Sequence, residues 1–166
     1  MRLNRFRVQN YKIISDTDWI KVDPSVTALV GKNESGKTAI LRALWKTRNV
    51  STATTAKFDK LKDYPLDRYT AERDGTQEVT ALEFKLGASE ASQLAAQLGL
   101  DEQGKPETVT LHTYYVGKSK IEQRIRFEDR VEASISLPVR IATKVMADAL
   151  HAIEMFSPPD AATPAS

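Results

Sequence analysis

Eight consecutive residues, Gly31-Lys32-Asn33-Glu34-Ser35-Gly36-Lys37-Thr38, carry the densest chemistry in the chain. They satisfy G-x-x-x-x-G-K-[ST] at every fixed position, and each fixed type has a physical reason. Gly31 and Gly36 permit backbone angles that a Cβ forbids, so successive N–H groups can turn inward around a triphosphate. Lys37 brings a point charge to the β and γ phosphates, the one role in charge stabilisation assigned here. The Thr38 hydroxyl can complete the shell of a Mg²⁺ ion whose other ligands are water and phosphate oxygens. The bland alternative is a glycine-rich turn before a helix.

Such a loop must be held between a buried strand and a helix. Val26-Thr27-Ala28-Leu29-Val30 reads as the strand, and Ala39-Ile40-Leu41-Arg42-Ala43-Leu44-Trp45 opens a helix that should end near Arg48-Asn49. The N-terminus of that helix adds the positive end of its dipole to the loop. Upstream, residues 3–12 alternate Leu3, Phe6 and Val8 against Arg5, Arg7 and Gln9, with one slip near Asn4. This predicts a strand with a wet, basic face. Residues 16–22 form a second strand candidate, and Asp23-Pro24-Ser25 a turn.

Downstream, residues 50–77 read as a long polar loop, with Asp63-Tyr64-Pro65-Leu66-Asp67-Arg68-Tyr69 aromatic enough to anchor it locally. Glu78 to Leu86 alternates as a half-buried strand. Ser89 is placed to cap a short helix carrying Ala91, Leu94, Ala95 and Leu98 and stopped by Gly99. Residues 101–106 form a turn. Residues 108–127 read as a hairpin about Gly117-Lys118-Ser119-Lys120. A terminal helix over 138–156 carries Ala142, Met146, Ala149, Leu150, Ile153 and Phe156 as its apolar stripe, either closing a core or serving as a dimer face or the root of a coiled-coil arm. The expected organisation is one ATP-binding lobe over 1–156, followed by a Pro/Ala-rich tail or linker over 157–166.

Composition removes several classes. The 166 residues are 41% hydrophobic and 28% charged, as in an ordinary globular domain. Cysteine is absent, which excludes disulfides and thiolate metal sites, and His112 and His151 are too far apart to suggest zinc. No apolar run approaches the length of a membrane span, and the Met1–Arg5 start is not a signal-peptide core, so the expectation is a cytoplasmic chain without a membrane partner.

The first strand ending Asn10-Tyr11-Lys12, the second ending Ile20-Lys21-Val22 and the loop at 31–38 together resemble the N-terminal lobe of ABC-type ATPases of the SMC and RecF-like class. The likeness is nearest to the OLD (overcoming lysogenization defect) ATPases, many of which carry a Toprim nuclease. It is specific over 1–48 and suggestive to about residue 90. The resemblance implies an α/β P-loop fold with an antiparallel β-rich portion and few helices. It implies ATP and Mg²⁺ as ligands, contacted by Gly31, Asn33, Glu34, Ser35, Gly36, Lys37, Thr38 and Ala39, with Lys12 and Tyr11 approaching from the first strand. For Lys12 and Tyr11 the alternative is a strand end facing solvent. It further implies ATP sandwiched between two such lobes, in a homodimer or with the remainder of the ATPase.

The chain departs from that pattern in lacking an LSGGQ-like signature, a Walker B strand ending Asp-Glu, a switch histidine and a Toprim acidic cluster. Leu98-Gly99-Leu100-Asp101-Glu102 only imitates a Walker B. The expectation is an incomplete ATPase domain, with hydrolysis depending on segments outside this chain. Basic residues cluster on the first strand (Arg2, Arg5, Arg7, Lys12) and in the hairpin (Lys118, Lys120, Arg124, Arg126, Arg130). They either track a DNA backbone, as the resemblance suggests, or guard sheet edges against aggregation. Two further readings stay open: a non-hydrolysing subunit that dimerises with nucleotide, and a small P-loop kinase. A GTPase is disfavoured, because no Asn-Lys-x-Asp guanine motif occurs.

Overall fold

In the computed structural model of the chain, residues 1–25, 27–30, 36–48, 57–127 and 148 are described. Most of the phosphate loop (31–35), residues 26 and 49–56, Arg130, the expected terminal helix apart from Asp148 and the tail lie outside them. The described elements are, in order, β1 (Arg2–Tyr11), β2 (Ile14–Asp16), β3 (Ile20–Lys21), α1 (Lys37–Arg48), α2 (Lys60–Asp63), α3 (Leu66–Glu72), β4 (Thr76–Lys85), α4 (Ala88–Leu98), β5 (Thr108–Val116) and β6 (Lys120–Arg126), with a 3₁₀ turn at Glu102–Gly104.

The strands form one antiparallel sheet ordered β2-β1-β4-β5-β6, with β3 also pairing β1. The slip in the alternation near Asn4 is a register shift between Leu3 and Arg5. A second shift between Glu78 and Thr80 explains why Val79 and Leu82 both sit inward despite their spacing. β4 lies between β1 and β5, and its residues 79–84 are buried on both faces. One face gathers Leu3, Phe6, Val8, Leu82, Phe84, Val109, Leu111, Tyr115 and Ile125, against which α1 lays Ile40, Ala43 and Leu44. Full burial of each large apolar side chain is worth about 1.5–3 kcal/mol. At the far end of α1, the Thr47 hydroxyl bonds its own helix at the Ala43 carbonyl (2.9 Å) and shares a hydrogen bond with Thr80 (2.8 Å), while Gln123 Nε2 donates to the Thr47 carbonyl (2.8 Å).

Four sequence expectations are corrected. The single strand over 16–22 is split, because the Thr17 hydroxyl accepts from the Val8 N–H in place of a ladder carbonyl and Asp18 takes φ +54°. Residues 27–30 form no strand, and Val30 is 89% exposed, because they pair with none of the described strands of the sheet. The helix expected to be capped by Ser89 starts two residues earlier, with the Gly87 N–H held by Glu90 Oε2 (2.8 Å); its stop at Gly99, φ +68°, is as expected.

The fourth correction concerns the polar loop. Its described part, 57–77, is two short helices docked by buried side chains rather than a solvated excursion. Tyr11, Phe58, Tyr115 and Tyr64 form a chain of edge-to-face contacts at 5.9, 6.0 and 5.6 Å that joins β1, the approach to α2, β5 and the α2–α3 corner. Lys60, 1% exposed, sends its ammonium to five oxygens: the carbonyls of Glu72, Arg73, Gly75 and Gly117 and Gln77 Oε1, at 2.7–3.1 Å. No helix among the described residues is long and apolar enough to cross a membrane.

Burial, more than the charge of Asp63, pushes the Tyr11 and Tyr115 phenols above the normal tyrosine range; for Tyr64 burial is joined by its hydrogen bond to Glu72. Unfolded tyrosines release their protons near pH ~10, so above that pH the unfolded chain binds fewer protons and stability falls as pH rises. Tyrosinate absorbance should therefore show a late step coincident with loss of far-UV circular dichroism. Lys60→Ala should lower stability by about 3 kcal/mol or more through unsatisfied carbonyls. Its melting temperature should recover more in KCl or NH₄Cl than in tetramethylammonium chloride, because the vacated oxygen cage suits a small cation.

Candidate functional site

The described end of the phosphate loop is built by Gly36. It is buried at φ +88°, and a Cβ there would lie 3.3 Å from Ile14 Cγ1 and 3.8 Å from Ile13 Cδ1. The backbone angle calls for glycine, and a Cβ would in addition sit tightly against Ile14 of the β1–β2 corner. The Gly36 carbonyl accepts from the Ile40 N–H at 2.9 Å, which makes Gly36 the N-cap of α1. The following N–H groups have no intrahelical acceptor. No acidic residue stands in the first turn, while Lys46 and Arg48 occupy the last, so the helix keeps its positive end where an anion would arrive. Thr38 is exposed there, and Lys37 and Ala39 are half-buried. This donor set suits phosphate oxygens. Gly31, Asn33, Glu34 and Ser35 fall outside the described residues.

Lys12 sits on the corner that touches Gly36. Asn10 and Lys12 both have positive φ, +51° and +54°, on either side of the buried Tyr11. Two non-glycine residues in that region within three positions mark a constrained backbone. It is held by Asn10 Nδ2 donating to the Glu78 carbonyl (2.9 Å) and by the Lys12 N–H donating to the Asp63 carbonyl (2.6 Å). The Lys12 ammonium donates to the Lys62 carbonyl (2.8 Å) and lies 3.3 Å from Asp63 Oδ1. The other oxygen of Asp63 accepts from Lys46 of α1 (2.7 Å) and from the Asp59 N–H (2.9 Å). A cleft of about 400 Å³ beside this cluster is lined by Lys46, Lys57, Phe58, Asp59, Lys62, Asp63 and Ser119.

The basic strands meet on one face. Register places Arg5, Glu83, Thr110 and Arg126 in one row and Arg7, Ala81, His112 and Arg124 in the next. Cross-strand partners share a face, so all four arginines point to the side opposite the apolar core. Arg5 binds Glu83 (2.6 Å) and stacks over Trp19 (4.4 Å), and Arg7 pairs with Asp16. Arg124 binds Glu122 (3.0 Å) and stacks over Tyr114 (4.7 Å). Between them Glu78 Oε2 bonds His112 Nδ1 at 2.6 Å. Trp19 and Tyr114 were not singled out from sequence, because neither belongs to a motif; they become visible only in the fold, where Arg5 lies over Trp19 and Arg124 over Tyr114.

The Walker B imitation has a structural role. Leu98 ends α4, Gly99 caps it in the left-handed region, and Asp101 Oδ1 accepts from the Gly104 N–H (2.7 Å) to close the 3₁₀ turn. A strand carrying a carboxylate pair is not formed there.

Known proteins place this arrangement. A solved structure from work on ATP-driven dimerization and DNA-stimulated activation of SMC ATPases superposes with a TM-score of 0.54 at 16% identity, covering 100% of this chain and 87% of its own. At that identity the match speaks for the fold alone, that of an antiparallel sheet-rich α/β P-loop NTPase. No curated protein matches significantly. The AAA ATPase domain model matches residues 1–135, most of the chain, and the chain therefore belongs to the AAA ATPase domain family.

Proposed function

We propose that residues 1–156 are the ATP-binding lobe of an OLD-like or RecF-like ATPase that acts on DNA, in defence or repair. The observation that supports this most is the N-terminus of α1, where Gly36 is held at φ +88° ahead of Lys37 and Thr38 with no acid in the first turn. Lys37 neutralises charge on the terminal phosphates, and Thr38 offers a single hydroxyl to a magnesium ion otherwise held by phosphate and water. No group of three or more His, Cys, Asp or Glu side chains that could hold a metal occurs among the described residues, which fits a cation brought with the nucleotide. Gly31, Asn33, Glu34 and Ser35 complete the cradle in this reading, and Ala39 adds its N–H. Positioning of attacking water is assigned to segments other than those of this chain.

The superposing structure comes from work on ATP-driven dimerization and DNA stimulation, and this favours a sandwich of two lobes with nucleotide between them. The same observation supports a second reading, a subunit in which nucleotide controls dimerisation without turnover. DNA contact is assigned to the shared face of Arg5, Arg7, Arg124 and Arg126, whose two arginine–aromatic stacks resemble the interleaving used on nucleic-acid backbones and bases.

Lys37→Ala should weaken binding of a fluorescent ATP analogue by about tenfold or more, the loss of one charge-assisted contact, with fold retained by circular dichroism. Unchanged affinity would overturn the nucleotide site. Residues 1–166 should show negligible ATP turnover, and light scattering with ATP against ADP separates a nucleotide-controlled dimer from an indifferent one. Duplex DNA binding should fall steeply with salt. Arg124→Glu with Arg126→Glu should weaken it and flatten the log–log salt slope by about one to two units. Absence of binding at low salt would remove the DNA assignment.

A further inference from the structure

Asp63 lies in a part of the chain that the motif does not mention, yet its contacts converge on the phosphate-loop frame. The residue is 1% exposed and stands at the end of α2. Its backbone carbonyl holds the Lys12 N–H (2.6 Å), and Oδ1 faces the Lys12 ammonium (3.3 Å). Oδ2 holds Lys46, nine residues along α1 from Lys37, at 2.7 Å. One carboxylate thus ties the β1–β2 corner to the helix on which the phosphate loop ends. The corner needs such a tie. Lys12 is held at φ +54°, a conformation unfavourable for a non-glycine residue, and its side chain is 45% exposed, so packing alone does not fix the ammonium. The next two residues, Ile13 and Ile14, are those in contact range of the position where a Gly36 Cβ would stand.

We propose that Asp63 is a positioning residue for the nucleotide site: it holds Lys12 beside the Gly36–Thr38 end of the phosphate loop and fixes α1 against the same corner through Lys46. The inference rests on the reading of that loop as the nucleotide site. A positively charged side chain held by one carboxylate oxygen and one carbonyl keeps an N–H for a phosphate oxygen, since an ammonium has three donors. Asp63 acts through Lys12 and does not itself touch nucleotide; a carboxylate there would repel phosphate if it were not neutralised by two ammonium groups.

The test is a mutant cycle on the 166-residue chain, reading affinity for a fluorescent ATP analogue. Asp63→Asn keeps the shape and the backbone contact and should weaken binding about two- to tenfold, in the lower part of the range of coupling between contacting residues. In a Lys12→Ala background the same substitution should cost clearly less, because only the route through Lys46 remains. Equal losses in both backgrounds would mark Asp63 as merely structural and overturn the proposal. If Lys37→Ala leaves affinity intact, the nucleotide-site reading fails as well; if Lys37→Ala weakens binding while Asp63→Asn acts independently of Lys12, only the present inference fails. Should Asp63→Asn not fold, the wild-type chain decides. Acylation of lysines followed by mass spectrometry should show ATP slowing modification of Lys12, and no change at Lys12 would overturn the proposal.

Discussion

Two opposite charges removed from water on a single turn of helix govern how this chain is assembled. Lys60 and Asp63 stand three apart in α2 and are each 1% exposed, yet the ammonium goes to four carbonyls and an amide oxygen while the carboxylate goes to two other lysines and a backbone N–H. An ion buried without partners costs several kcal/mol, so neither residue can be inside unless all the groups that receive it are in place. Those groups come from the α3–β4 turn, the β5–β6 hairpin, the β1–β2 corner and α1. A four-residue helix too short to be stable by itself is therefore the junction at which four separate parts of the chain are obliged to meet.

This also explains which parts could be read in advance. The hairpin over 108–127, the stop of α4 at Gly99, the slip near Asn4 and the start of α1 after Gly36 follow from local rules: alternation, a left-handed cap, a bulge, a helix N-terminus. Residues 57–77 belong to the stretch read as a long polar loop anchored at 63–69; its docking was not legible beyond that anchor, because lysine and aspartate are normally outside and nothing local distinguishes Lys60 and Asp63 from exposed Lys62 and Asp67. Only the long-range acceptors make the difference. The opposite error occurred at residues 27–30, where an apolar run promised a buried strand but Val30 stands exposed. Hydrophobicity can indicate that a segment suits a strand without providing the pairing that makes it one. At the site, the residue types and the capping geometry of Gly36 were legible, whereas the tie from Asp63 to Lys12 spans fifty-one positions and has no sequence signature.

The sheet divides its two chemistries by face. The apolar side is closed by α1 and the aromatic chain from Tyr11 to Tyr64, while the other carries arginines interspersed with Glu83, Glu78, Asp16 and Glu122. Pairing of this kind contributes little stability at an exposed surface, but it fixes guanidinium planes, two of them over aromatic rings. The charged face is thus held in shape by its own acids before any partner arrives.

The hydrogen bonds at Thr47 bear on how the phosphate loop can respond to a ligand. Thr80 and Gln123 fasten the C-terminal end of α1 to β4 and β6, whereas Lys37 lies ten residues away, about 15 Å along the axis. The helix is thus hydrogen-bonded to the sheet at Thr47, while towards Lys37 it is held by packing, with Ile40 in the core and Gly36 against Ile14. A rotation of about four degrees at Thr47 moves the Lys37 end by about 1 Å over that length. Small adjustments in how the sheet receives Thr47 are thereby larger at the Lys37 end of α1 than at the Thr47 end.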